Sequence, residues 1–258
     1  MIEMIIADLD NTLLRSEKVL SEYTVAVLTQ AQAAGIKVAF ATARSERAAA
    51  KFLAQFSPDI FIGYGGALIQ AGDEVIHRFD ISAELSAQII GESLRMPEVA
   101  SVWAINESVA LTNSQEDLGA DGWSHYQHHD FSGENTAGYL KISLISASPD
   151  AVERIASHYP MCDMLRYSGE DLYRFAHRKA VKWNAVKIAA AHFGIETDKI
   201  AAFGDDTNDL EMIQNCGIGV AVENAVDAVR AVADHICGTN DKDGVAAWIE
   251  QHLLCDNK

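Results

Sequence analysis

The N-terminal sequence runs Met4-Ile5-Ile6-Ala7-Asp8-Leu9-Asp10-Asn11-Thr12, so four apolar residues lead directly into two closely spaced aspartates. The apolar run has the length of a short buried strand. Because aspartate is rarely buried, the chain is expected to leave the strand and enter a loop at Asp8. Such a loop is often an ordinary turn or helix cap, but two carboxylates at a strand end also predict an acidic site.

Apolar runs of similar length recur in the first and last thirds of the chain, alternating with helical patterns. Predicted strands lie at residues 4–7, 36–41, 60–62, 200–203, 218–222 and 235–237. Predicted helices lie at residues 22–34, 46–56, 182–193, 210–215, 225–233 and 244–253. Ser21 and Ser45 are predicted N-caps of the first two helices, and Gly35 ends the first. Uninterrupted apolar strands between helices are typical of a parallel sheet covered on both faces.

The middle third has a different order, in which strands follow one another. Its predicted elements are helices at 83–94 and 150–157, strands at 99–105, 109–112 and 139–145, and a hairpin of 164–167 and 172–175 turned at Ser168-Gly169. This order is typical of an α+β domain. We therefore predict an α/β fold with a Rossmann-like parallel-sheet core of residues 1–80 and 179–258. An α+β domain of residues 81–178 is inserted between the two halves.

Two further predicted core strands end in polar motifs. The second strand ends in Thr42-Ala43-Arg44, where a hydroxyl and backbone N–H groups that turn into a helix can hold phosphate oxygens. The fourth ends in Gly204-Asp205-Asp206-Thr207-Asn208-Asp209, and packed carboxylates of this kind favour a bound cation. Since only hard oxygen ligands are present, Mg²⁺ fits best.

All three motifs follow the carboxyl ends of predicted parallel strands, the edge at which open α/β sheets bind ligands. Their convergence predicts one crevice for a metal ion and a phosphate group. A cation is also needed to offset the phosphate charge. Lys179 and Lys182, where the chain re-enters the core, are both candidates.

Charge and cysteine content narrow the class of protein. Lys and Arg number 20 against 37 Asp and Glu, and the resulting net charge of −17 repels nucleic acid and anionic membranes. The 4 cysteines are scattered, which predicts reduced thiols instead of disulfides or a zinc site. No leader pattern opens the sequence, and no apolar run approaches the ~20 residues of a membrane span. We therefore expect a cytoplasmic protein with a small-molecule partner; the oligomeric state is left open.

Four motifs in this order resemble the haloacid dehalogenase-like superfamily, and their spacing resembles its Cof-type sugar-phosphatase branch. They are Asp8–Thr12, Thr42–Arg44, Lys182 and Gly204–Asp209. Residues 220–225 and 241–245 also resemble segments that follow the fourth motif in that branch. The resemblance covers the whole chain, and it implies that the inserted domain is a cap that selects the substrate.

The resemblance implies a Mg²⁺-dependent phosphatase of small phosphorylated metabolites, sugar phosphates first among them. Asp8 would be the nucleophile that forms a phosphoryl-aspartate, and Asp10 the general acid and then base. The implied phosphate-binding residues are Leu9, Thr42, Ala43, Lys182 and Asn208. The implied metal-binding residues are Asp8, Asp10 through its carbonyl, Asp205 and Asp209. Arg44 is interpreted as structural, forming ion pairs beneath the loop.

Three positions depart from the motifs that are usual in the family. Ala43 replaces a glycine, which requires a negative φ at this position. Gly65 replaces an asparagine, and Trp183 replaces a glycine after the motif lysine. None of these is a predicted nucleophile, acid/base or metal ligand, so the departures bear on substrate preference.

Two other functions use similar residues. A phosphosugar mutase or phosphotransferase would form the same intermediate on Asp8 and differ only in the acceptor. A non-catalytic phosphate switch, such as a response-regulator receiver, also combines acidic residues, Thr and Lys around Mg²⁺. The switch is disfavoured because Asp8 and Asp10 share one strand end and because receivers carry no inserted domain of this size.

An unusual stretch lies within the inserted domain, where His125, His128 and His129 alternate with Trp123 and Tyr126. A contact to a sugar or aromatic ring and an adventitious metal site are both open, but a polar loop that is rich in histidine is the favoured interpretation. The aromatic residues Trp103, Tyr139 and Tyr173 are predicted to belong to the core of this domain.

Overall fold

The structure is a computed structural model that describes residues 1–115, 126–133, 137–166 and 171–255. Contacts divide the chain into two units. The core unit comprises Met1–His77 and Val181–Lys258, and the cap unit comprises Arg78–Ala180. These divisions lie close to the ones predicted at residues 80 and 179.

The core unit is built on one sheet of eight strands, numbered along the chain. They are β1 (Met4–Ala7), β2 (Lys37–Ala41), β3 (Ile60–Gly63), β4 (Leu68–Ala71), β5 (Glu74–Arg78), β12 (Ile200–Gly204), β13 (Ile218–Val222) and β14 (His235–Cys237). Their order across the sheet is β14-β13-β12-β1-β2-β3-β4-β5. Strand β1 is buried along its whole length and pairs in parallel with β2 and β12. The carboxyl ends of these three strands therefore meet at one edge, as predicted.

Helices connect the strands of the core. They are α1 (Glu22–Ala33), α2 (Glu46–Leu53), α5 (Lys182–Phe193), α6 (Leu210–Asn215), α7 (Asp227–Arg230), α8 (Gly244–Ile249) and a π-helical segment (Glu250–Leu254). Both predicted N-caps are present, since Ser21 Oγ accepts from Thr24 N–H at 3.0 Å and Ser45 Oγ accepts from Ala48 N–H at 3.1 Å. Gly35 follows the end of α1 with φ +89°, a conformation that favours glycine.

The core differs from the sequence prediction in three places. Strand β5 was not predicted, because it is mostly exposed and its polar sequence lacks the apolar run of a buried strand. Strand β4 was not predicted either, although its four residues are mostly buried. Helix α2 ends at Leu53 instead of residue 56, and α7 spans only Asp227–Arg230 instead of 225–233. Strand β5 lies at the sheet edge and the other two differences lie at helix ends, where packing determines the boundary more than the local sequence does, whereas β4 lies inside the sheet between β3 and β5.

The cap unit packs two helices on one sheet. The helices are α3 (Ala83–Ser93) and α4 (Pro149–His158), and the strands are β6 (Val99–Ile105), β7 (Ala110–Thr112), β8 (Gln127–His128), β9 (Lys141–Ser146), β10 (Cys162–Arg166) and β11 (Leu172–His177). The strand order is β10-β11-β9-β6-β7-β8. Tyr139 and Tyr173 belong to the apolar cluster of this unit, as predicted.

Strand β8 was not predicted, and the predicted turn at Ser168-Gly169 lies outside the described residues. Within the described ranges, no helix combines the length and the apolar character that crossing a membrane would need.

Candidate active site

The loop after β1 is shaped by one residue in a left-handed conformation. Asn11 has φ 58°, which asparagine tolerates better than most side chains, and it turns the chain back so that Leu14 N–H reaches the Leu9 carbonyl at 2.7 Å. Asp8 stands at the start of this turn and is 6% exposed. Its position is fixed by the ladder to β12, because its N–H donates to the Phe203 carbonyl at 3.0 Å.

Lys182 joins two of the predicted motifs. It is the first residue of α5, is 2% exposed, and donates from Nζ to Asp8 Oδ1 and Asp209 Oδ1, each at 2.6 Å. Lys182 is one of the two lysines that the sequence offered as the cation for the phosphate, and it contacts the acidic motifs. Gly66 allows the start of α5 to pack directly against the backbone of the loop after β3. It has φ +105°, and a Cβ there would lie 2.5 Å from the Val181 carbonyl oxygen.

The loop after β12 is folded around the carboxylate of Asp209. Asp209 Oδ2 accepts from the N–H groups of Asp205 at 3.0 Å and Asp206 at 3.2 Å, and the residue is fully buried. Gly204 must lack a side chain, since a Cβ would lie 2.5 Å from the Asp209 side chain. Both oxygens of Asp209 already accept hydrogen bonds, so this residue fixes Lys182 and the shape of the loop.

Three carboxylates meet where these loops converge. Ligand oxygens of Asp8, Asp205 and Asp209 lie within 4.8 Å of one another. Burial raises the pKa of Asp8 well above its usual range, with Lys182 opposing the shift and Asp209 and Asp205 adding to it. Burial and the Asp209 charge raise the pKa of Asp205 to about 6. The buried carboxylate oxygens repel one another, and a bound divalent cation would offset this repulsion. The three carboxylates therefore fit the predicted Mg²⁺.

Asp10 lies in a different environment, where two cations hold its side chain. Arg44 donates to both of its carboxylate oxygens, from Nε at 2.7 Å and from Nη2 at 2.8 Å, and Lys18 Nζ lies 3.0 Å from Oδ1. Burial alone would raise the pKa of Asp10, but the hydrogen bonds and charges of Arg44 and Lys18 lower it. The prediction that Arg44 forms ion pairs is confirmed, yet its partner is the predicted acid/base itself.

The remaining predicted phosphate-binding residues surround these carboxylates in different ways. Thr42 is 1% exposed, and its Oγ1 accepts from Arg44 N–H at 3.1 Å. Ala43 is not among the residues with positive φ, so the condition for replacing glycine is met. Leu9 has a fully buried side chain, which leaves only its backbone for a ligand. Asn208 is exposed in a 3-10 turn, Thr207–Asp209.

Sequence reasoning missed the side-chain contacts that connect the loops to one another. Thr12 Oγ1 donates to Asp205 Oδ1 at 2.9 Å across 193 positions of sequence. Asn224 Nδ2 donates to the Asn11 carbonyl at 2.8 Å, and Asn240 Nδ2 donates to the Leu14 carbonyl at 2.9 Å. Asn224 lies in one of the tail segments that carried the resemblance, and this was the one signal that pointed to it.

The histidine-rich stretch of the cap unit does not form a metal site among the described residues. Tyr126 packs edge-on against Trp103, with ring centroids 5.0 Å apart, and both are buried. His128 and His129 are exposed, and His129 Nδ1 accepts from Phe131 N–H at 2.9 Å. Trp123 and His125 lie outside the described residues.

Comparison with known proteins matches residues 5–249 to the haloacid dehalogenase-like hydrolases. The chain belongs to this family. Its relatives include the 5-amino-6-(5-phospho-D-ribitylamino)uracil phosphatase YitU of Bacillus subtilis, which is 26% identical over 97% of this chain and 97% of its own length.

Solved structures of haloacid dehalogenase-like (HAD) proteins share the fold over nearly the whole chain. A haloacid dehalogenase-like hydrolase from Bacteroides thetaiotaomicron superimposes with a TM-score of 0.84 at 23% identity, covering 97% of this chain and 99% of its own. BT4131, a sugar phosphatase of HAD subclass IIB, does so with a TM-score of 0.81 at 21% identity, covering 96% and 98%. Together with the family match and the phosphatases among its relatives, the chain is a HAD hydrolase of the Cof branch and a phosphoric monoester hydrolase.

Proposed function

We propose that this HAD phosphatase hydrolyses small phosphorylated metabolites with Mg²⁺, through a phosphoryl-aspartate on Asp8. The observation that carries the proposal is the contact of Lys182 with both Asp8 and Asp209, beside Asp205. It joins a buried nucleophile, a fixed cation and a set of oxygen ligands at one sheet edge.

The carboxylates of Asp8 and Asp205 and the Asp10 carbonyl are the proposed ligands of Mg²⁺, with Asp209 orienting the loop that carries Asp205. When bound, the ion would supply positive charge next to the phosphoryl oxygens and offset the repulsion between the carboxylates. Thr12 would keep the Asp205 carboxylate in position through its hydrogen bond.

In the first step, an Asp8 carboxylate oxygen attacks phosphorus and the bond from phosphorus to the leaving oxygen breaks. The hydrogen bond from Lys182 occupies Asp8 Oδ1, so Oδ2 is the proposed attacking atom. Lys182, Thr42, Asn208 and backbone N–H groups at Leu9 and Ala43 are the proposed donors to the phosphoryl oxygens. Asp10, protonated in the substrate complex, gives its proton to the leaving alkoxide.

In the second step, Asp10 takes a proton from water, the water oxygen attacks phosphorus, and the acyl–phosphate bond to Asp8 breaks. The cations around Asp10 favour its carboxylate form, which is the form that the second step requires. To act as the acid in the first step, Asp10 has to bind a proton, although the positive charges of Arg44 and Lys18 disfavour its protonated form. Arg44 is therefore a proposed positioning residue of the acid/base.

A small phosphorylated metabolite, with sugar phosphates first, is the proposed substrate. The net charge of −17 disfavours polyanionic partners, while Lys182, Arg44 and Lys18 supply positive charge near the carboxylates. YitU acts on a phosphorylated ribityl compound and BT4131 is a sugar phosphatase, which agrees with this class. We also propose a cytoplasmic location, in keeping with four free cysteines, three of them buried.

The test is phosphate release from a panel of phosphorylated metabolites, with Mg²⁺ and with chelator, for the native chain and Asp8→Asn. We expect Mg²⁺-dependent release that Asp8→Asn abolishes. Asp227→Asn is the matched control, because that side chain is 93% exposed, and it should retain full activity. Activity that survives Asp8→Asn would overturn the nucleophile. If a labelled phosphoryl group passes to an isomer of the substrate instead of to free phosphate, the protein is a mutase. If substrate binds without turnover, the protein is a non-catalytic phosphate switch.

A further inference from the structure

The cap sheet has two faces of different character. Side chains at alternate positions of β6, β9 and β11 join the apolar cluster under α3 and α4; they are Val102, Ala104, Ile142, Leu144, Tyr173 and Phe175. Because side chains alternate along a strand, the residues between them lie on the opposite face. That face is polar at its centre.

Strand register brings several of these residues into one row. Arg174 on β11 lies directly opposite Ser143 on β9, and Ser143 lies directly opposite Trp103 on β6. Directly opposed residues of antiparallel strands project from the same face. Lys141 lies two positions before Ser143 and shares that face, so two cations flank one serine hydroxyl.

Neither cation has an acidic partner in the described part of the chain. Arg174 is 7% exposed, and its Nε atom is buried without a hydrogen-bond partner. No described carboxylate forms an ion pair with Arg174 or with the half-buried Lys141. Asp163 shares the face at its edge, opposite Ala176, but is exposed to solvent.

Two unpaired cations in this position repel each other and lose hydration. Burial, with the nearby Arg174 charge adding to it, lowers the pKa of Lys141 to about 8. Buried charges in native proteins are otherwise paired or bound to a ligand. The guanidinium carries planar donors that match a carboxylate or phosphate group, and the lysine adds a point charge.

We propose that Arg174, Lys141 and Ser143 form an oxyanion-binding site on the cap sheet, which takes the carboxylate or phosphate group of a small ligand. The buried Arg174 Nε–H donates to one anion oxygen, Lys141 Nζ donates to another, and the Ser143 hydroxyl lies between them. The proposed function assigns no role to these three residues, so the inference goes beyond it.

The experiment is calorimetric titration of the full chain with inorganic phosphate and, separately, with malonate. The protein is freed of metal on a chelating resin, because a dissolved chelator is itself a polycarboxylate. The native chain is compared with Arg174→Gln and Lys141→Gln. Arg154→Gln is the matched control, since it removes a cap-unit charge whose side chain is 58% exposed. Melting temperatures are measured in anion-poor buffer for all four proteins.

We expect the native chain and Arg154→Gln to bind at least one of the two anions equally well. Arg174→Gln and Lys141→Gln should each weaken that binding about tenfold or more, because each removes a charged hydrogen-bond donor. The anion whose affinity falls in the two site variants identifies the ligand group, because phosphate bound beside Asp8 would be unaffected: phosphate assigns the site to a phosphate group, and malonate to a carboxylate. Without anion, both site variants should melt at or above the native temperature, because each removes a charge that is unpaired and at least half-buried.

Equal affinity in all four proteins would overturn the proposal, since any anion bound would then lie elsewhere, and so would the absence of binding by the native chain. Loss of binding together with a lower melting temperature in anion-poor buffer would also overturn it, because the two cations would then be structural. Both outcomes are distinguishable from failure of the proposed function, which is tested with Asp8→Asn under Mg²⁺.

Discussion

The acidic loops of the core unit and the open face of the cap sheet both contain buried charge, but in opposite arrangements. In the core, Lys182 lies between Asp8 and Asp209, Thr12 holds Asp205, and Arg44 holds Asp10. In the cap, Arg174 and Lys141 have no such partners among the described residues. Buried charges with partners hold a geometry in place, whereas buried charges without partners leave donors free for a ligand. Removing a side chain should therefore have opposite effects on stability in the two regions.

The largest effect is expected for Lys182→Met in the core. This change leaves two buried carboxylates without their cation, which typically costs about 3–5 kcal/mol of unfolding free energy. Loss of a donor to the phosphoryl oxygens should also lower kcat about a hundredfold or more. Denaturant unfolding and phosphate release measure the two effects. Lys187→Met, an exposed position on the same helix, is the control, and equal stability of the two variants would contradict the account.

A smaller effect is expected for Thr12→Val, which keeps the side-chain shape and removes the hydrogen bond to Asp205. Groups that orient metal ligands typically contribute about 10–100-fold to metal affinity. The Mg²⁺ concentration for half-maximal activity should rise by this factor. Thr29→Val replaces an exposed helical threonine and should leave it unchanged. If the two valine variants need the same Mg²⁺ concentration, Thr12 does not position the metal ligand.

The positions of six core strands, all except β4 and β5, could be predicted because each is a short apolar run, and the acidic motifs because each follows such a run directly. The Thr12–Asp205 contact could not be predicted, because it joins loops 193 positions apart through the strand order. The pairing of Arg44 with Asp10 likewise depends on the parallel register of β1 and β2. In the cap, nothing in the local sequence around Lys141 or Arg174 indicates that the two share one face. That follows only from the pairing of β9 with β11.

Asp59 is a half-buried carboxylate of the core that has hydrogen-bond partners, and its contribution to the free energy of unfolding should be lost at acidic pH. Asp59 accepts from Lys37 Nζ at 2.8 Å, Val38 N–H at 2.9 Å and Gln32 Nε2 at 3.0 Å. Burial alone would raise the pKa of Asp59, but the hydrogen bonds outweigh burial, and the pKa is lowered. Its contribution is therefore present above the unfolded pKa and is lost as the pH falls through the lower folded pKa. We expect Asp59→Asn to cost about 1 kcal/mol at pH 7, and less near pH 3, in denaturant unfolding.

The charge of Lys141 in the cap should destabilise the fold, whereas the charge of Asp59 stabilises it, and the effect of Lys141 should be the smallest. Its folded pKa of about 8 lies below the unfolded value, so the unfolded state binds more protons above that pH. Its contribution to unfolding free energy should therefore rise between about pH 8 and 10, by less than about 1 kcal/mol after solvent screening. Comparing denaturant unfolding of the native chain and Lys141→Gln isolates this contribution. If the difference in unfolding free energy between the two proteins does not change across this pH range, the Lys141 charge does not destabilise the cap, and the contrast with the core is contradicted.

The central claim, that Asp8 carries the phosphoryl group, is tested most directly by trapping the intermediate. Asp10→Asn removes the base of the second step and the acid of the first, so the substrate is p-nitrophenyl phosphate, whose leaving group departs without a proton. Acid quenching of this variant with Mg²⁺ and that substrate should preserve the phosphoryl-enzyme. Peptide mass spectrometry should then find one phosphoryl group on the peptide that contains Asp8, and borohydride should reduce that residue to its alcohol. A phosphoryl group on any other residue, or phosphate released in a single turnover without a trapped enzyme, would contradict the account.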